Sequence, residues 1–367
     1  MNLTGKIENK NYECLKAVVD SSHLSKRSLL YKSVLNEIDY NWKLFDNALF
    51  CLSGFEDLSI YSKEKLTESD YIETYFNFGA YRKRIVPHKL SQLIQDGASV
   101  VLNKMQNKCS IISDICQMFS KYTGCLTNAN SYAARGGCGT FNMHWDSHDV
   151  YAVQLIGKKR WKIYPPTFID PLPHQKSKNY PERPTEPCLD IILEAGDILY
   201  IPRGWWHDAI PLDNQDTFHI AIGVFPNTVL DFLSWVLANK MADHVSVRDY
   251  IEGSEQKSLL HSLSIFSEIS SSELVFRQFC EEHTKHIRYK TRINTTAFFV
   301  DDVEMNNLKF NGVFRSQFND AYIVNGVTFE TGPDFQEVFR ENVENHNPTQ
   351  PVDKTLIKNL ISFGIIS

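Results

Sequence analysis

"GTFNMHWDSHDVYAVQLIGKKRW", residues 139–161, is the stretch on which the fold turns. It places His144 and Asp146 one residue apart, then an apolar run, Val150–Ile156, that leads into the bases Lys158, Lys159 and Arg160. In a strand, residues i and i+2 project from the same face. A strand over 140–145 therefore points His144 and Asp146 together, with Trp145 on the opposite side. If that shared face is interior, a carboxylate beside an imidazole is costly unless something positive joins them. A divalent cation is the economical solution.

A second stretch completes the argument. "EAGDILYIPRGWWHDAIP", residues 194–211, reads as a turn, a strand, a tight Pro-Arg-Gly turn and then His207 at the start of the next strand. Two histidines and one carboxylate arriving from non-adjacent strands compose the facial triad that leaves open positions on Fe(II). Cysteine ligands would have suggested zinc instead. Among the other histidines, His148 lies on the same face only if the strand continues. His174 sits in a Pro-rich loop and is expected to be solvated. His219, in "FHIAIGVF", reads as a core histidine, with a donor role beside the site as the alternative.

Along "KKRWKIY", Lys159, Trp161 and Ile163 share a face, an apolar row with an ammonium at its mouth. An uncompensated buried ammonium loses its proton or costs several kcal/mol, and a bound carboxylate removes the penalty. Solvated turn residues at Lys158 and Lys159 are the alternative.

The rest of the chain supplies the setting. With 367 residues it is long enough for two or three domains. No apolar run approaches the ~20 residues of a membrane span. The start has no basic segment followed by an apolar one, and eight cysteines carry no CxxC pair, so a reducing, cytoplasmic setting with free thiols is expected. A net charge of −6 argues against general nucleic-acid binding, which would need a local basic patch. The best local run, "YRKRIVPHK" at 81–89, reads as a solvated loop.

"SLLYKSVLNEI", from residue 28, reads as helix, and "LFDNALFCLSGF", from residue 44, as a buried strand. "ASVVLNK" predicts a strand and "SIISDICQMFSKYTG" a helix. From 125 to 226 short alternating stretches separated by Gly, Pro and Asp turns predict an antiparallel β-barrel or sandwich. Helical periodicity returns after 227, with Phe232, Trp235 and Leu259 as candidates for an exposed apolar face. The tail reads as short strands and a last helix over "DKTLIKNLISFG".

The quoted motifs resemble those of the JmjC-type 2-oxoglutarate oxygenases, and within them the ribosomal oxygenase group, a branch of the cupin superfamily. The resemblance rests on H-x-D, a lysine fifteen positions after the first histidine, and G-D-x-L-Y-x-P-x-G-x-x-H, and is best over about 95–226. It implies a mainly β fold with flanking α: a double-stranded β-helix (jelly-roll) catalytic domain over 1–226, a helical dimerisation region over 227–292 and a winged-helix-like domain over 293–367. It implies His144, Asp146 and His207 as ligands to Fe(II). Lys159 would hold the distal carboxylate of the cosubstrate 2-oxoglutarate, with Asn130 and Tyr132 of "NANSYAA" beside it, and O2 as the oxidant. Ala221 stands where relatives often carry a hydroxyl. The implied activity is hydroxylation of a side-chain carbon in a protein or peptide by a homodimer, possible targets including Arg or His of a ribosomal protein. The alternatives are a small-molecule or natural-product hydroxylase, a lysine demethylase, or a non-catalytic winged-helix binding protein.

Overall fold

The computed structural model describes residues 9–35, 38–52, 54–137, 139–250, 256–290, 313–315 and 321–330. The chain divides into two compact units, one of residues 1–123 and 127–225 and one of 124–126 and 226–367.

The first unit begins with helix α1 (Asn9–Ser22), which buries Leu15, Val18 and Val19, followed by a short strand, β1 (Leu29–Tyr31). The helix read from residue 28 is therefore corrected: Leu29 to Tyr31 pair with Ile198 to Tyr200 in the sheet. The buried strand read from residue 44 is corrected too, because Trp42–Phe50 is a helix, α2. The Asn41 side chain caps it by accepting from the Lys43 N–H at 3.1 Å, and Phe45 and Ala48, three apart, turn inward. A nine-residue apolar segment suits either period, and the cap decides it.

Next come β2 (Leu58–Ser62), β3 (Glu64–Lys65), β4 (Ile72–Asn77), β5 (Ala80–Ile85), α3 (Pro87–Gln95), β6 (Ser99–Leu102) and α4 (Ser110–Thr123). α4 buries Ile111, Ile112, Ile115, Cys116 and Phe119. The basic run at 81–89 is thus a strand followed by the first turn of a helix rather than a loop. None of the described cysteines is in a disulfide.

The β-rich part follows: β7 (Leu126–Arg135), β8 (Asp149–Tyr164), β9 (Leu189–Glu194), β10 (Ile198–Ile201), β11 (Trp206–Pro211) and β12 (Asp216–Phe225). One long path runs β1-β10-β8-β12-β7-β6-β2-β3. β8 serves two sets of neighbours. Its first part pairs with β10 and β12, and its second part, from Lys158 on, pairs with β9 and β11, all antiparallel. Between them lies a core of Val150, Ala152, Trp161, Ile163, Leu193, Leu199 and Ile201.

The second unit contains α5 (Val229–Val236), α6 (Gln256–Ser270) and α7 (Glu273–His286). Thr228 and Asp231 form a reciprocal capping box at the start of α5. Trp235, Val236, Met241 and Phe279 make its core, with Phe232 packed against them. Phe232 and Trp235 are therefore not the exposed face that periodicity suggested, whereas Leu259 is 58% exposed. Three antiparallel strands, β13 (Val313–Arg315), β14 (Ala321–Val324) and β15 (Val327–Glu330), are described beyond the helices. The final helix read at 353–363, and with it most of the winged-helix reading, lies outside the described residues. No described helix is long and apolar enough to cross a membrane.

Candidate metal and cosubstrate site

His144 and Asp146 stand on an irregular extended segment before β8 rather than on a regular strand. What holds them is a single bridge to β11. The His144 N–H donates to the His207 carbonyl at 3.1 Å, and the His207 N–H returns to the His144 carbonyl at 2.8 Å. That reciprocal pair brings the two imidazoles to 4.4 Å between centroids. One ligand-capable atom from each of His144, Asp146 and His207 lies within 4.8 Å of the others.

Backbone bonds fix the presentation of all three. His144 Nδ1 lies 2.9 Å from the Asn142 carbonyl, and His207 Nδ1 lies 3.1 Å from that of Trp205. A carbonyl accepts only, so each Nδ1 is the donor there, which leaves Nε2 as the ligand atom of the neutral ring. The Gly204 N–H donates to the Asp146 carbonyl at 2.9 Å, tying the carboxylate's segment to the Pro-Arg-Gly turn. Gly204 has φ +83°, and a Cβ there would meet the Phe168 carbonyl at 2.7 Å, so the turn requires glycine. Asp149 holds the same turn, accepting from the Tyr200 hydroxyl and the Arg203 N–H, both at 2.9 Å.

Burial and then the neighbouring His144 push the His207 imidazole down to about 4, so it is neutral at physiological pH. Burial alone would raise the Asp146 carboxyl, but His207, His144, His148 and Lys176 outweigh it and hold it below the usual carboxylate range. Neutral imidazoles and an ionised carboxylate are the forms that bind metal.

Lys159 is 2% exposed and lines the same cavity of about 50 Å³ as the three groups above. Burial lowers its ammonium to about 7, with Asp208 opposing weakly. Among the described residues it makes no ion pair and no hydrogen bond. It lies 5.9 Å from the Tyr132 ring centroid. Tyr132 in turn stacks on His219 at 4.8 Å, and both line the cavity with Trp161 and Ala221.

The structure brings together five of the six residues singled out in the sequence. Asn130 is the sixth. Its side-chain oxygen accepts from the Lys104 N–H at 3.3 Å, and it is not among the residues lining the cavity. His148 stacks on Phe225 at 4.6 Å and is not part of the ligand cluster, and His174 is exposed. His219, read first as a core histidine, is buried, but its Nδ1 has no hydrogen-bond partner and its ring faces the cavity. Phe141, whose ring centroid lies 5.5 Å from that of His144 in an edge-on contact, escapes the sequence reading because nothing in its spacing marks it.

A family model described as the JmjC domain matches residues 101–232, the segment that carries every one of these cavity residues. This segment is a JmjC domain. Over 204 residues, half of its length, the chain is 30% identical to 29% of the bifunctional lysine-specific demethylase and histidyl-hydroxylase NO66 of Brugia malayi. Ribosomal oxygenase 1 of Gallus gallus is 32% identical over 157 residues, 42% of this chain and 26% of that protein. The chain spans about a fifth to a third of the length of the curated relatives it matches. Among solved structures, Escherichia coli YcfD aligns over 96% of this chain and 97% of its own, with a TM-score of 0.58 and 16% identity. YcfD, a ribosomal oxygenase, in complex with cobalt and 2-oxoglutarate aligns with a TM-score of 0.56 at 15% identity. At such identity the likeness is one of fold, and the fold is that of the YcfD JmjC proteins.

Proposed function

We propose that the chain is an Fe(II)- and 2-oxoglutarate-dependent oxygenase that hydroxylates a side-chain carbon of a protein substrate, an Arg or His of a ribosomal protein being the first candidate. The observation that carries this reading is the pairing, in one cavity, of a two-His-one-Asp cluster with a buried ammonium that has no ion-pair partner among the described residues. A divalent ion satisfies the first, and a dicarboxylate cosubstrate reaching from that ion satisfies the second. The names of the relatives support the class of reaction and of substrate.

In this reading His144, Asp146 and His207 hold iron on one side and leave the other open. Lys159 holds the distal carboxylate, with Tyr132 walling that end and His219 beside it. When bound, iron and 2-oxoglutarate together supply O2 activation and the oxidising power for C–H hydroxylation. The chain's own work is orientation and exclusion of water: Trp145, Trp206 and Tyr164 form an apolar wall on the outer side of the ligand segment. The antiparallel strands around β8 are proposed to be a double-stranded β-helix. Exposed Leu259, Leu260 and Leu263 on α6 and Leu274 on α7 support a dimer formed through the helical region.

The test is anaerobic loading with Fe(II) followed by 2-oxoglutarate turnover with candidate ribosomal proteins, read by mass spectrometry. A gain of one oxygen on a peptide supports the reading. Loss of a methyl group would instead point to demethylation. Failure of the loaded protein to bind 2-oxoglutarate would refute it.

A further inference from the structure

The basic run at 81–89 is left over from the catalytic reading, and the structure gives it a definite form. β4 and β5 are a separate two-stranded ribbon with no other described strand beside it. Its root is fixed: Ile72 pairs with Ile85, the Val86 N–H donates to the Tyr71 carbonyl at 2.8 Å, and the Tyr71 ring is buried. Beyond that root the ribbon stands in solvent on both faces.

What it carries there is unusual for a solvated hairpin. Phe76, Phe78 and Tyr81 are 66%, 94% and 80% exposed. Phe76 and Tyr81 form a cross-strand edge pair at 5.5 Å, and Arg84 lies 5.4 Å from the Tyr75 ring centroid. The strands are joined by Phe78 and Gly79, with φ of +48° and +76°. A two-residue hairpin turn of this kind wants Asn, Asp or Gly at its first position. Phe78 is therefore strained, and in the described fold it packs against nothing that would repay the strain. Residues 74–84 also hold Arg82, Lys83 and Arg84 and no carboxylate, in a chain of net charge −6. Lys83 pairs with Glu68 at 2.6 Å and Arg84 with Glu73, exposed contacts that a phosphate can replace. Arg82, cross-strand from Tyr75, has no ion-pair partner among the described residues.

We propose that the β4–β5 ribbon is a binding site for single-stranded RNA, whose bases stack on Phe76, Phe78 and Tyr81 and whose phosphates meet Arg82 and its neighbours. Every large apolar side chain in 74–84 is a ring. A bilayer accepts leucine or isoleucine as readily as phenylalanine, whereas stacking on a base needs an aromatic face. Tyr75, Asn77 and Tyr81 add polar groups at the same level, suited to ribose hydroxyls and base edges.

The experiment is fluorescence anisotropy of the full chain with a labelled, unstructured RNA oligonucleotide, titrated at several salt concentrations. The wild type should bind in about the micromolar range, with affinity falling as salt rises. Phe78→Asn suits the turn and keeps the ribbon folded, so it should weaken binding about tenfold without lowering the melting temperature. Arg82→Ala should reduce the slope of log affinity against log salt by about 0.7, one phosphate contact on a single strand. Both variants should turn over 2-oxoglutarate as the wild type does. Unchanged RNA affinity in Phe78→Asn would overturn the proposal. So would Phe78-dependent sedimentation with phosphatidylserine vesicles in the absence of RNA binding, or Phe78-dependent self-association in the ultracentrifuge, which would assign the ribbon to a membrane or to a second copy.

Discussion

Replacing Lys159 by Met should stabilise the protein while abolishing its affinity for 2-oxoglutarate. Burial takes the ammonium from its usual 10.5 to about 7, so the folded state holds the Lys159 proton less tightly than the unfolded chain. The unfolded chain therefore binds more protons between about pH 7 and pH 10.5, and this residue's contribution to stability rises with pH across that window. At pH 7.5 the linkage amounts to about 4 kcal/mol of destabilisation, which a methionine of similar volume does not suffer. Relaxation around the site reduces the realised gain, and even about half of it raises the melting temperature by several degrees for a unit of this size. Binding of the diacid returns the ammonium to its charged form. Near pH 7.5 that takes up part of a proton, measurable by titration calorimetry in buffers of different ionisation enthalpy. Thermal denaturation of both proteins from pH 7 to pH 10 gives the decisive curve: the advantage of Lys159→Met should shrink steadily with rising pH. A variant less stable than the wild type at pH 7.5, or a difference that does not change with pH, would refute the reasoning.

His207→Ala should abolish the thermal stabilisation given by Mn(II), which at a hundred times its dissociation constant is worth about 2.7 kcal/mol in the wild type. A chelator should remove the same increment from the wild type and leave the variant unchanged. Gly157→Ala should destabilise by about 3 kcal/mol or more in urea denaturation, because Gly157 has φ +66° and a Cβ would fall 1.8 Å from the Asp216 carbonyl oxygen. Thr228→Ala removes one half of the capping box on α5 and should cost about 1 kcal/mol, read as reduced resistance of the helical unit to urea.

The ligand set was legible because its chemistry is intolerant: few arrangements justify two imidazoles and a carboxylate converging in an apolar setting. Lys159 was legible for a related reason, since the row Lys159, Trp161, Ile163 has one charged member on an inward face. Asn130 shows the limit of the same approach. Its motif is visible, yet the hydrogen bond to the Lys104 N–H depends on where a distant loop lies, which strand alternation does not encode. His219 shows the converse, because a lone histidine in an apolar strand looks alike whether its ring is satisfied or not. Only the packing of Tyr132 against its face, with Nδ1 left unpaired, separates the two. α2 has the sequence texture of a strand because nine apolar-rich residues carry too few turns to fix a period.

The two halves of the site are built by different means. Regular strands supply the end proposed for the cosubstrate: Lys159 and Trp161 from β8, Ala209 from β11, and His219 and Ala221 from β12 line the cavity there. Their placement depends on β8 changing neighbours at Gly157, where β12 makes its close approach, and on a register shift in β12 between Phe218 and His219. The metal end relies instead on one reciprocal bridge and a glycine turn, with His144 and Asp146 outside any regular strand. A strand held on both sides by ladders resists local opening, whereas a segment held by three backbone bonds opens at lower cost. An ion held by His144, Asp146 and His207 together would add the missing constraint to that segment.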